Sequence, residues 1–102
     1  MAKVKITVVK TQTWKDLFGN NPPAESAVEL CHTVELGQEF IVEDATKLPS
    51  GFCPSAMSDI RSHIVHLLLG GDYPGMKEKG VALLSCTDGR RPVIFKLERI
   101  ED

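Results

Sequence analysis

Residues 51–71 read Gly51-Phe52-Cys53-Pro54-Ser55-Ala56-Met57-Ser58-Asp59-Ile60-Arg61-Ser62-His63-Ile64-Val65-His66-Leu67-Leu68-Leu69-Gly70-Gly71. Met57, Ile60, Ile64, Leu67 and Leu68 recur at helical spacing and make one apolar stripe. Pro54 suits a first helical position, where its missing N–H would go unbonded anyway. Asp59 puts a negative charge early, and Gly70-Gly71 supplies the stop. The stretch predicts one main helix over about 54–69, with Cys53 at its N-cap.

On either side of that helix the pattern changes to strands. Lys3 to Lys10 alternates, with Val4, Ile6 and Val8 on one face and Lys3, Lys5 and Thr7 on the other. Glu25 to Leu36 reads as a second strand, with Val28, Leu30, His32, Val34 and Leu36 sharing a face opposite Cys31. Glu39 to Glu43 is a short third strand with Phe40 and Val42 inward. Val81 to Cys86 is apolar on both faces and reads as a central strand. Thr87-Asp88-Gly89-Arg90 then predicts a tight hairpin turn, with Pro92 to Ile100 returning. Between the first two strands, Trp14, Leu17 and Phe18 suggest a short turn before Gly19-Asn20-Asn21-Pro22-Pro23.

This order predicts a single α+β domain over residues 1–102, an antiparallel sheet of about five strands with one main helix packed on one face. Neither charge nor hydropathy suggests a nucleic acid or membrane partner. The net charge is −2, with both signs scattered and no basic stripe. The apolar run from Ile64 to Leu69 is interrupted by His66 and too short to span a bilayer. Met-Ala-Lys-Val-Lys-Ile enters a strand without the apolar region of a secretory signal. Three separated cysteines make no disulfide framework, so the expected setting is cytoplasmic, with reduced thiols.

Gly37-Gln38-Glu39-Phe40, Pro49-Ser50-Gly51-Phe52-Cys53, Gly70-Gly71 and Cys86-Thr87-Asp88-Gly89-Arg90-Arg91-Pro92-Val93-Ile94-Phe95 occur in that order. Together they make the chain resemble a family of short bacterial and archaeal proteins of unknown function, found as single copies or tandem repeats. The resemblance implies that Cys31, Cys53 and Cys86 occupy the family's cysteine positions. It brings no established reaction with it. The family's tryptophans after the Cys53 position and after the Tyr-Pro pair are replaced here by Met57, or a neighbour, and Gly75.

The chemistry suggested by the residues centres on sulfur. Cys53, beside the free N–H groups of a helix start, has a setting that can make a thiol a nucleophile or a metal ligand. Catalysis would need His63 or His32 as base, with Asp88 as a possible orienter. Cys31, Cys53 and Cys86 are instead candidate ligands for zinc or an iron–sulfur cluster, a fourth ligand coming from His32, His63 or a partner chain. No Cys-x-x-Cys knuckle supports that assignment, and free cysteines also serve as small buried apolar residues. Arg90 and Arg91 are candidate ligand-binding residues, since guanidinium groups grip carboxylates and phosphates, and the loop aromatics Trp14 and Tyr73 join them.

The leading expectation is a small soluble binding or accessory module that forms a homo-oligomer, with Trp14, Phe18, Phe52 and Tyr73 as contact residues. The alternative is the cysteine-centred site, metal-binding or nucleophilic.

Overall fold

The computed structural model describes residues 2–21 and 33–101. Their elements are β1 (Ala2–Thr11), α1 (Trp14–Phe18), β2 (Glu39–Val42), α2 (Pro54–Leu68), β3 (Val81–Ser85) and β4 (Val93–Glu101). The four strands form one antiparallel sheet in the order β2-β1-β4-β3. Helix α2 packs on one face of it, giving the α+β architecture that the alternating strands and the single stripe predict.

Alternation along β1 explains the core. Val4, Ile6 and Val8 are buried, and across the ladder Ile6 lies opposite both Phe40 and Leu97. Phe40, Val42, Phe95 and Leu97 continue the same apolar face. Ala56, Met57, Ile60, Ile64 and Leu67 of α2 close onto it. The opposite face of the sheet is charged, with Lys5 between Glu39 at 3.6 Å and Glu98 at 3.8 Å. Exposed pairs of this kind add little stability, but they keep that face wet and fix which side is core.

Helix α2 begins at Pro54, with Cys53 as its N-cap, as the Gly-Phe-Cys-Pro start implies. It ends in a Schellman motif: Gly71 N–H donates to the His66 carbonyl and Gly70 N–H to that of Leu67. Gly70 carries the positive φ of +92° that this closure requires. Arg99 completes the stop from β4, its guanidinium donating to the carbonyls of Leu67 at 3.2 Å and Gly71 at 2.7 Å. At the other end of the domain, Thr13 caps α1 reciprocally with Asp16.

Three expectations need correction. The described residues hold four strands, against about five expected. Most of the expected strand over Glu25–Leu36 lies outside the described residues. Its described end is a turn, closed by Gln38 N–H on the Glu35 carbonyl. Val34 is therefore buried while Leu36 faces solvent. Next, β3 is an edge strand and not a central one. Of its outward-facing side chains only Val81 is buried, while Leu83 is 54% exposed, so the second apolar face is not covered by another described strand. Finally, no tight two-residue hairpin forms: residues 86–92 make the connection, and Gly89 does not take a positive φ. Asp88 shapes the loop through its side chain instead, accepting from Arg90 N–H at 2.9 Å.

Candidate functional site

The β3–β4 loop folds against the first two turns of α2, and a cleft of about 470 Å³ lies between them. Cys53, at the helix N-cap, and Cys86, just past the end of β3, both line it. The sheet order makes this meeting possible, because α2 packs across β3, β4 and β1 and brings its N-terminus to the end of the sheet where β3 finishes. Both thiols are free and half-buried. The Cys86 sulfur accepts from Val93 N–H at 3.3 Å, and Cys86 N–H donates to the Val93 carbonyl at 3.1 Å. The Cys53 side chain makes no capping bond to the first turn of the helix, where Ser55 and Ala56 also line the cleft.

Charge enters the cleft from three places. Asp59, one turn after Ser55, accepts from Thr87 N–H at 2.8 Å and from the Thr87 hydroxyl at 3.1 Å. This bond pins the loop to the helix. Asp88 sits between the two arginines, 3.5 Å from Arg90 Nε and 3.8 Å from Arg91 Nε. Partial burial pushes the Asp88 carboxyl up, but the backbone N–H groups of Arg90 and Arg91 and the charge on Arg90 outweigh it and hold the group below the ordinary carboxylate value. Arg91 Nε is buried and makes no hydrogen bond, its nearest carboxylate lying at ion-pair distance.

The structure brings some expected site residues together and separates others. Cys53, Cys86, Arg90, Arg91 and Asp88 line one cleft. Cys31 and His32 lie outside the described residues. His63 is not at the cleft: ten residues further along α2 it is about 15 Å up the helix axis from Cys53, and its Nδ1 pairs with the Tyr73 hydroxyl at 2.6 Å. The dyad of Cys53 with His63 is therefore not assembled, and Asp88 contacts Arg90 and Arg91. Tyr73 belongs to that second cluster, its ring 4.8 Å from His66, and burial pushes its phenol up. Trp14 starts α1 away from the cleft, under Lys15 at 5.6 Å. Phe52, expected as a contact residue, is only 3% exposed and packs edge-on against Phe40 and Phe95 in the core.

Asp59 was legible in the sequence only as a negative charge early in the helix, and Arg99 carried no signal. For Asp59 a signal did exist: Ser55 and Asp59 stand at i and i+4, one face of the helix start, beneath the same loop.

Among the described residues no three His, Cys, Asp or Glu side chains are grouped to hold a metal ion. Cys53 and Cys86 alone offer two soft ligands, which suit zinc or copper(I) better than magnesium or calcium. No helix of the described residues is long and apolar enough to cross a membrane. No family model matches the chain, and no curated protein or solved structure is significantly similar to it.

Proposed function

We propose that this chain is a small cytosolic binding or accessory module whose ligand site is the cleft between the α2 N-terminus and the β3–β4 loop. The observation that carries the reading is the meeting of Cys53, at the helix start, with Cys86, Arg90 and Arg91, all on the β3–β4 loop, in one cleft. Arg90 and Arg91, each beside Asp88, together with a helix start that has no side-chain cap, favour a small ligand whose carboxylate or phosphate group would compete with Asp88 for the guanidinium groups. The thiols give the wall soft, weakly polar surface for the remainder of the ligand. A resemblance to the short prokaryotic family would fit this reading, since two of the three cysteine positions it implies fall in the cleft.

A panel of small carboxylates and phosphates, followed by amide chemical shifts, tests the reading. Binding should perturb Ser55, Ala56 and Thr87 to Arg91, and Ser55→Trp, an exposed position that fills the cleft, should weaken it at least tenfold. Shifts centred elsewhere, or binding indifferent to the tryptophan, contradict it.

The second reading is a metal site in which Cys31 joins Cys53 and Cys86 on zinc or an iron–sulfur cluster. The shared position of two thiols favours it. Protein purified without oxygen should then carry stoichiometric metal that Cys53→Ser loses; metal-free protein, or metal retained by that variant, sinks this reading.

A further inference from the structure

Strand β3 pairs with β4 along one edge, and no described strand pairs with the other. The ladder shows which backbone groups that second edge presents among the described residues. Arg99 N–H donates to the Gly80 carbonyl at 2.7 Å, and Cys86 N–H to that of Val93 at 3.1 Å. In an antiparallel ladder the bonded pairs alternate, so Gly80, Ala82, Leu84 and Cys86 turn their backbone groups toward β4. Val81, Leu83 and Ser85 turn theirs outward.

Edge strands are ordinarily guarded by charge, proline or shortness. Strand β2 follows that rule: it spans four residues and begins at Glu39, paired with Lys5. Strand β3 is Val-Ala-Leu-Leu-Ser, with no charge and no proline, and Leu83 is 54% exposed on its outer face. Beside it lies a depression of about 420 Å³, lined by the apolar Met76, Val81 and Leu83 and by the charged Lys77, Glu78 and Lys96. An open edge with an apolar trough alongside is the geometry of strand addition, in which main-chain bonds supply affinity and the trough takes alternate side chains.

We propose that the β3 edge pairs with the β3 edge of a second copy, antiparallel and two-fold about Leu83. The edge is self-complementary in this arrangement. Leu83 faces Leu83 of the other copy, Val81 faces its Ser85, and each pair exchanges both backbone bonds. The Leu83 side chain of the second copy falls beside Val81 and Leu83, over the trough. Charge permits the match: Lys96 stands one strand in from the edge on each side, so no like charges are directly opposite. Lys77 and Glu78 give the rim both signs, where a rim of one sign would repel its own copy. The proposal is independent of the ligand cleft.

Sedimentation velocity on the full chain, from about 1 μM to about 1 mM, combined with amide hydrogen exchange, tests it. The expected result is a concentration-dependent dimer in which the Val81, Leu83 and Ser85 amides exchange more slowly as concentration rises. Leu83→Lys should raise the dimer dissociation constant at least tenfold, with an unchanged far-ultraviolet spectrum. Should that variant misfold, Ser85→Lys at an exposed outward position carries the same expectation. A monomer throughout the range overturns the proposal. So does a dimer that leaves those three amides fast or that survives the folded lysine variant.

Discussion

Asp59 grips Thr87 twice, at the backbone N–H and at the hydroxyl, across 28 residues of sequence. This contact sets the width of the cleft, because it fastens the loop bearing Cys86, Asp88 and both arginines to the helix bearing Cys53. Charge-assisted bonds of this kind contribute about 1.5–3 kcal/mol when sheltered and less when wet. Asp59→Asn should lower unfolding stability by about 1 kcal/mol, read from the urea midpoint, and should speed alkylation of Cys86. An unchanged alkylation rate would mean that the loop holds its place without Asp59.

Arg99 reaches from β4 to the carbonyls of Leu67 and Gly71 and to the Asp72 carboxylate at 3.0 Å. Its planar fork serves acceptors that lie in different directions, which a lysine ammonium cannot match at the same reach. Arg99→Lys should cost about 1–2 kcal/mol and Arg99→Ala more, with the loss appearing as faster amide exchange in the last turn of α2. Equal stability of the lysine variant would show that charge alone suffices.

Acid should loosen the same corner of the fold. The Arg99 hydrogen bond first, and the Gly80 N–H second, hold the Asp72 carboxyl below its ordinary value of 3.8. A carboxyl depressed in the folded state stabilises the fold above its unfolded value, and that contribution fades as pH falls through the folded one. Urea midpoints measured from about pH 7 down to about pH 2 should therefore fall below pH 4. Asp72→Asn should flatten that acid limb and lower the neutral plateau. A limb identical in the two proteins would assign the effect to other carboxylates.

Gly70 takes φ +92° with nothing within 4 Å of an added Cβ, so its cost is conformational and not steric. Gly70→Ala should lose about 1 kcal/mol, whereas an alanine at Gly89, where φ is not positive, should be nearly neutral. Comparable losses at both sites would contradict the Schellman closure.

Local rules carried most of the fold. The two-residue period of Val4, Ile6 and Val8 marked β1, and Pro54 with Gly70 bracketed α2 within a residue or so. The position of β3 was not legible, because Leu83 is apolar although exposed, so the strand reads as covered on both faces. The loop at Asp88 was misread because an Asp-Gly pair fits a tight hairpin locally, while Asp59 holds Thr87 from a distance. The cleft itself depends on sheet order and on where α2 lands, neither of which leaves a periodic trace. Cys53 could be placed at a helix start from Pro54 and Cys86 at a strand end beside Asp88-Gly89, but nothing local to either showed that the two would share one cleft.

The shared cleft of Cys53 and Cys86 is tested most directly by labelling the native protein with a bulky maleimide and mapping the adducts by mass spectrometry. One cleft of about 470 Å³ holds one such group, so a label on either thiol should block the other, and molecules labelled at both Cys53 and Cys86 should be scarce whatever the state of Cys31. In Cys53→Ser and Cys86→Ser, the remaining thiol of the pair should label fully. Independent labelling of both thiols in the same molecule, at the rates seen in the single variants, would contradict the site.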